Sequence, residues 1–169
     1  MNNATSYRLD FVIPQGPTGP TGPIGATGPA FGLSAYGGRY SNTSSSLTLG
    51  ILTQTQIPLT QTMPNLNTTY GTNSITISQA GTYEINFYTN VSVAVGTTLT
   101  LAVRNNGTNI PATVVSRTLS VGTSSIYSGS VIVNLGANSV IDMAVSALVS
   151  VGLTLGSGTN ASLTVKRLS

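Results

Sequence analysis

Five glycines, Gly16, Gly19, Gly22, Gly25 and Gly28, recur at strict intervals of three and spell Gly-Pro-Thr, Gly-Pro-Thr, Gly-Pro-Ile, Gly-Ala-Thr and Gly-Pro-Ala. No other feature restricts the conformation of this 169-residue chain so severely. Three polyproline II strands wind around a shared axis only where every third residue lacks a side chain, because nothing larger than hydrogen fits there. Residues 16–30 therefore predict a collagen triple helix and, with it, a homotrimer. A flexible Pro/Gly-rich linker has no reason to keep the period through five triplets. At a rise of roughly 3 Å per residue the run makes a rod about 45 Å long, too short to hold three chains in register alone. The clamp falls to residues 31–169, with residues 1–15 as a separate leader.

From residue 35 to 168 the hydrophobic pattern has period two, with polar turns between the runs, and no stretch carries a helical 3.6 period. Tyr83, Ile85, Phe87, Thr89 and Val91 alternate with Glu84, Asn86, Tyr88 and Asn90. Leu99, Leu101 and Val103 precede Asn105-Asn106-Gly107-Thr108, where Asn-Gly supplies the positive φ angles of a type I′ hairpin. Val131, Val133 and Leu135 lead through Gly136-Ala137-Asn138 into a further run from Val140 to Leu148, and the Gly-rich tract 152–158 reads as a hairpin. About ten short strands with turn signals every 8 to 14 residues predict an all-β sandwich for residues 31–169.

Composition removes most chemistry. The chain has six Lys or Arg, three Asp or Glu, and no His, Cys or Trp. Without imidazole or thiol there is no ordinary zinc, haem or iron-sulfur ligation, no Ser-His or Cys-His nucleophile and no disulfide. The carboxylates Asp10, Glu84 and Asp142 lie far apart in sequence, so calcium would need a trimer axis to gather them. No catalytic residue, metal site or cofactor is expected. Nucleic-acid binding needs clustered basic residues; the one adjacent pair is Lys166-Arg167. No apolar run is long enough to cross a membrane as a helix, and the first residues lack the basic and apolar regions of a signal peptide, which implies no signal-directed export. The surface must be built from Thr, Ser and Asn, and 40% hydrophobic residues argue against disorder. Such a surface, solvated without ion pairs, suits a protein that packs against copies of itself.

Ahead of the collagen run, Tyr7, Leu9, Phe11 and Ile13 alternate with Arg8, Asp10 and Val12, ended by Pro14-Gln15-Gly16. This is an apolar stripe at strand spacing with no partner nearby, and a lone strand is not stable in water. Burial of each such side chain contributes up to roughly 1.5 to 3 kcal/mol. The leader is therefore predicted to dock in another molecule, either by adding a strand to the head of the next trimer, which propagates an open head-to-tail filament, or in a different anchor protein.

A collagen run feeding an all-β head resembles the complement-type and tumour-necrosis-factor-like trimers, whose heads are ten-stranded jelly rolls. The segment Ala80-Gly81-Thr82-Tyr83-Glu84-Ile85 looks like the Ala-Gly-x-Tyr strand start of such heads, and residues 128–140 look like their late hairpin. The Gly-Pro-Thr triplets and the Thr/Ser/Asn richness are most similar to BclA-type collagen-like glycoproteins of the bacterial spore surface. That resemblance implies a structural, non-enzymatic homotrimer on the exosporium or a spore appendage, made in the mother-cell cytoplasm. It also implies O-linked sugar on the triplet threonines, here Thr18, Thr21 and Thr27. Five triplets make a connector rather than the long stalk of many relatives. A phage fibre or receptor-binding trimer is the rival reading; it predicts a pocket or aromatic patch on the far face of the head, whereas the structural reading predicts a self-complementary groove.

Overall fold

A computed structural model of the chain describes Met1, Arg8 and residues 10–12, 14–22 and 32–169. The chain divides into two compact units, Met1–Phe31 and Gly32–Ser169, and all the regular secondary structure among the described residues lies in the second. Its strands are β1 Tyr36–Ser41, β2 Ser45–Leu49, β3 Thr55–Gln56, β4 Gln61–Thr62, β5 Thr68–Gly71, β6 Ser74–Ile77, β7 Gly81–Val93, β8 Thr97–Asn105, β9 Thr108–Asn109, β10 Val115–Leu119, β11 Ser125–Leu135, β12 Val140–Ala147, β13 Val151–Leu155 and β14 Ala161–Arg167, with one 3-10 turn at Pro111–Thr113.

The strands fill five rows in each of two sheets, paired antiparallel throughout. The first sheet runs β11, β7, β14, β1, β4, with β13 and β2 prolonging the rows of β14 and β1 farther along β7. The second runs β10, β8, β12, β6, β5, with β9 in the row of β10 and β3 in the row of β6. This is the expected ten-row jelly roll; the fourteen segments arise because four rows are broken in two.

The alternation read in the sequence sets the layers. Tyr83, Ile85, Phe87, Val91 and Val93 of β7 point inward and pack in one cluster with Leu99, Leu101 and Val103 of β8 and Ile141, Met143 and Val145 of β12. Each fully buried aliphatic side chain contributes about 1.5–3 kcal/mol. Thr89, the polar residue in the inward series, donates its hydroxyl to the Asn160 carbonyl at 3.0 Å. Asn106 and Gly107 adopt φ of 50° and 79° between β8 and β9, the two positive angles a type I′ turn requires.

Two expected hairpins are absent. β11 and β12 lie in different sheets, so residues 136–139 form a crossover between layers; β11 pairs with β7 and β12 with β8. β13 and β14 both run antiparallel to β7, one after the other, so the Gly-rich tract is a kink within one row. Gly158 at φ 77° turns that kink, and the Asn160 amide pins it by donating to the carbonyls of Gly156 (2.7 Å) and Thr43 (3.0 Å).

The register defines two ends. Tyr36, where the chain joins the first strand, pairs with Lys166, and Arg167 pairs with Tyr83; this end is the base. Progress along β7 to Val93 leads past Ala161 and Leu155 to the opposite end, the apex, where β2 meets β13.

Candidate assembly surfaces

Among the described residues β11 pairs with β7 alone and borders its sheet with a free edge. It is eleven residues long and contains no charge and no proline. Soluble proteins ordinarily blunt such an edge with Lys, Pro, a bulge or a covering segment, because unpaired N–H and C=O groups recruit further strands. Here Ile126 and Ile132 stand 48% and 65% exposed along it. The same rows present an outward face made of Tyr36, Tyr40, Tyr88, Asn86, Asn90 and Thr164, all half-buried. On this face the Asn90 Oδ1 is buried without a hydrogen-bond partner among the described residues, a state that natural structures rarely leave uncompensated.

Charge on this face is confined to the base. Lys166 Nζ donates to Glu84 at 3.2 Å and Ser130 adds a hydroxyl bond at 3.3 Å. The Lys166 hydrogen bond, with further help from Asn86, holds the Glu84 carboxyl below its usual range. In the other sheet the Arg104 guanidinium grips Asp142 through Nε (2.7 Å) and Nη2 (2.8 Å), while Gln56 donates to the same carboxylate at 2.8 Å; the hydrogen bond to Asp142 raises the Arg104 pKa. Tyr127 closes the open side of the sandwich: burial pushes its phenol up to about 12 against the opposing pull of Arg117, whose guanidinium lies 5.5 Å from the ring centre.

The apex differs from both. Its loops, residues 50–53, 94–96, 120–124 and 148–150, carry no charge, and they are tied to the barrel ends by bonds such as Leu52 N–H to Ala147 O (2.9 Å) and Gly122 N–H to Val93 O (3.1 Å). They nevertheless expose Ile51, Leu52, Val95, Val121, Leu148 and Val149 by 43 to 71%. Sequence reasoning missed this crown. The available signal was apolar residues placed beside turn glycines, as in Gly50-Ile51-Leu52 and Val121-Gly122, where the period-two pattern has no use for them. An apolar recess of about 300 Å³, lined by Tyr36, Gly38, Met63 and Pro64 among others, sits at the base rather than on the far face.

Of the predicted leader residues, Phe11 is described and is 86% exposed; Tyr7, Leu9 and Ile13 lie outside the described residues. Gly16, Gly19 and Gly22 have no atom beyond their chain neighbours within 4 Å of the position a Cβ would take, and Thr18 and Thr21 are exposed. Gly25, Gly28 and Thr27 lie outside the described residues. Among the described residues no three His, Cys, Asp or Glu gather as a metal site would require.

The family model "BclA C-terminal domain" matches residues 38–169. Among curated proteins none matches in sequence. The fold is similar to that of PRD1 vertex protein P5 (TM-score 0.55, 16% identity, 82% of this chain and 99% of that one). It is also similar to the globular domain of zebrafish complement 1qA protein (0.52, 16%, 80% and 98%) and to Eiger TNF from S. frugiperda (0.53, 10%, 80% and 91%).

Proposed function

As the chain belongs to the BclA C-terminal domain family, we propose that it is a structural, non-enzymatic homotrimer of the bacterial spore surface, on the exosporium or an appendage. In this reading three heads are joined by the collagen connector of residues 16–30, and the apolar leader of residues 1–15 builds them head to tail into a filament. The observation that carries the trimer is the uncharged eleven-residue edge of β11. Three identical heads clamped by one triple helix stand side by side, and each then covers the edge and outward face that a monomer leaves open. The Gly-Pro-Thr triplets and the family match support the spore setting, and sugar on Thr18, Thr21 and Thr27 belongs to the same reading. The partners are copies of the chain, with no nucleic acid, membrane or cofactor.

The likeness of the head to a vertex protein supports a second reading, a fibre or receptor-binding trimer, and an anchor protein that receives the leader is a third. Electron microscopy of the purified chain separates them: long uniform fibres agree with self-assembly, isolated lollipop-shaped trimers with an anchored or tip protein. Deleting residues 1–13 is expected to leave trimers and remove the fibres; fibres that persist refute the leader's role. Placing a charge on the open edge with Ile132→Asp is expected to dissociate the heads.

A further inference from the structure

The leader needs a receiving site, and the open edges of the head differ in their fitness for it. β3, β4 and β9 have two residues each, β5 lies at the base beside the Tyr36–Leu66 bridge, β10 carries Arg117, and β11 is already engaged by the lateral trimer contact proposed above. β2 remains. It ends its row at the apex, pairs only with β13 among the described residues, and offers five uncharged residues, Ser45 to Leu49. Leu47 is half-buried against the core, and the buried Ser45 hydroxyl has no partner among the described residues.

Next to this edge stands Leu52. It is 71% exposed and its backbone has φ 53°. That left-handed conformation is uncommon for a residue with a bulky side chain and favours Gly or Asn. Neither burial nor backbone preference within one head explains a leucine here. Strain and exposed apolar surface together on one residue are the mark of a position kept for contact. Ile51 adjoins it, 63% exposed.

We propose that the free edge of β2, with Ile51 and Leu52 beside it, receives residues 7–13 of a second copy as an added strand. This rests on the trimer and leader reading above. The two surfaces agree in chemistry: the loop and edge are uncharged, and the leader's Arg8 and Asp10 cancel and fall on the face opposite Tyr7, Leu9, Phe11 and Ile13. Seven residues of strand span about 23 Å and cover a five-residue edge of about 17 Å in full. With residues 16–30 read as a triple-helical rod of about 45 Å, the leader docks in another molecule. The site lies at the end remote from Tyr36, so each docking event leaves a new apex free and growth continues in one direction. The basal recess lacks this property, since it lies where the chain joins the head.

The test uses the full chain, which has no native cysteine. Leu52→Asn relieves the positive φ, and is expected to hold or raise the melting temperature while stopping assembly at the trimer. Phe11→Asp is expected to stop it likewise. Trimers of Phe11→Asp should bind a fluorescent peptide of residues 1–15, and adding Leu52→Asn should weaken that binding at least tenfold. Non-reducing gels of Val12→Cys with Ser46→Cys or Thr48→Cys should show a ladder of linked chains that Val12→Cys with Ser130→Cys lacks. If Phe11→Asp blocks fibres but Leu52→Asn does not, or if the ladder forms with Ser130→Cys alone, the β2 site is overturned while leader docking stands. If the wild-type chain never grows beyond trimers and the peptide binds none of them, both fall.

Discussion

Among the described residues one ion pair has both partners largely buried, and it allows a magnitude to be worked out. Asp142 is 9% and Arg104 15% exposed at the side chain. Replacing Asp142 with Leu removes two charged hydrogen bonds, at 2.7 and 2.8 Å, and the Gln56 bond, and leaves the guanidinium with Gln54 Oε1 at 3.3 Å as its one side-chain acceptor. Breaking a buried pair from one side costs about 3–5 kcal/mol. The partial exposure of Arg104 and its residual partner place this case near the lower figure, about 3 kcal/mol. For a head of this size that lowers the melting temperature by roughly 10 °C. Replacing both partners, Arg104→Met with Asp142→Leu, removes the orphaned charge and should return stability to within about 1 kcal/mol of the wild type. The assay is thermal unfolding followed by circular dichroism at pH 7, at one protein concentration because assembly shifts the midpoint. A single variant that melts within about 3 °C of wild type, or a double variant as unstable as the single, refutes the reasoning.

Tyr127→Phe deletes a buried hydroxyl that has no partner among the described residues and keeps the ring under Arg117, so stability should rise by about 1 kcal/mol in urea unfolding. The Tyr127 phenol titrates near 12 in the folded head against about 10 in an unfolded chain. The neutral form is the one the fold prefers, so this contribution is complete below pH 10 and is lost as pH rises from 10 towards 12; burial also raises the Tyr83 phenol, so the ultraviolet titration of tyrosine should show late phenols of which Tyr127→Phe removes one. Gly107→Val forces a β-branched residue into φ 79° and should destabilise by about 1–3 kcal/mol, read as a lower urea midpoint with an unchanged slope.

Much of the head was legible because its signals are local. The β7 alternation and the Asn106-Gly107 turn follow from side-chain period and φ preference alone, and both stand in the structure. The β11–β12 connection was not legible: two apolar runs around a short polar turn look the same whether the second strand folds back beside the first or crosses to the other sheet. The choice is made by β7 and β8, distant in sequence, which take β11 and β12 as partners. The Gly-rich kink escaped for a similar reason, since one β7 edge holds both β13 and β14. The candidate surfaces were the least legible. A free edge is a property of which strands fail to pair, and the exposed apolar crown places side chains where hydrophobic patterning assigns only turns.

The claim on which all else depends is that three identical chains share one axis. Sedimentation equilibrium of the full chain, across a dilution series in a buffer that holds fibres apart, measures this without reference to any partner. A smallest stable species of three chain masses is predicted, falling to one for Ile132→Asp on warming past the melting of the collagen run. A wild-type chain that sediments as a single compact copy at every concentration contradicts it.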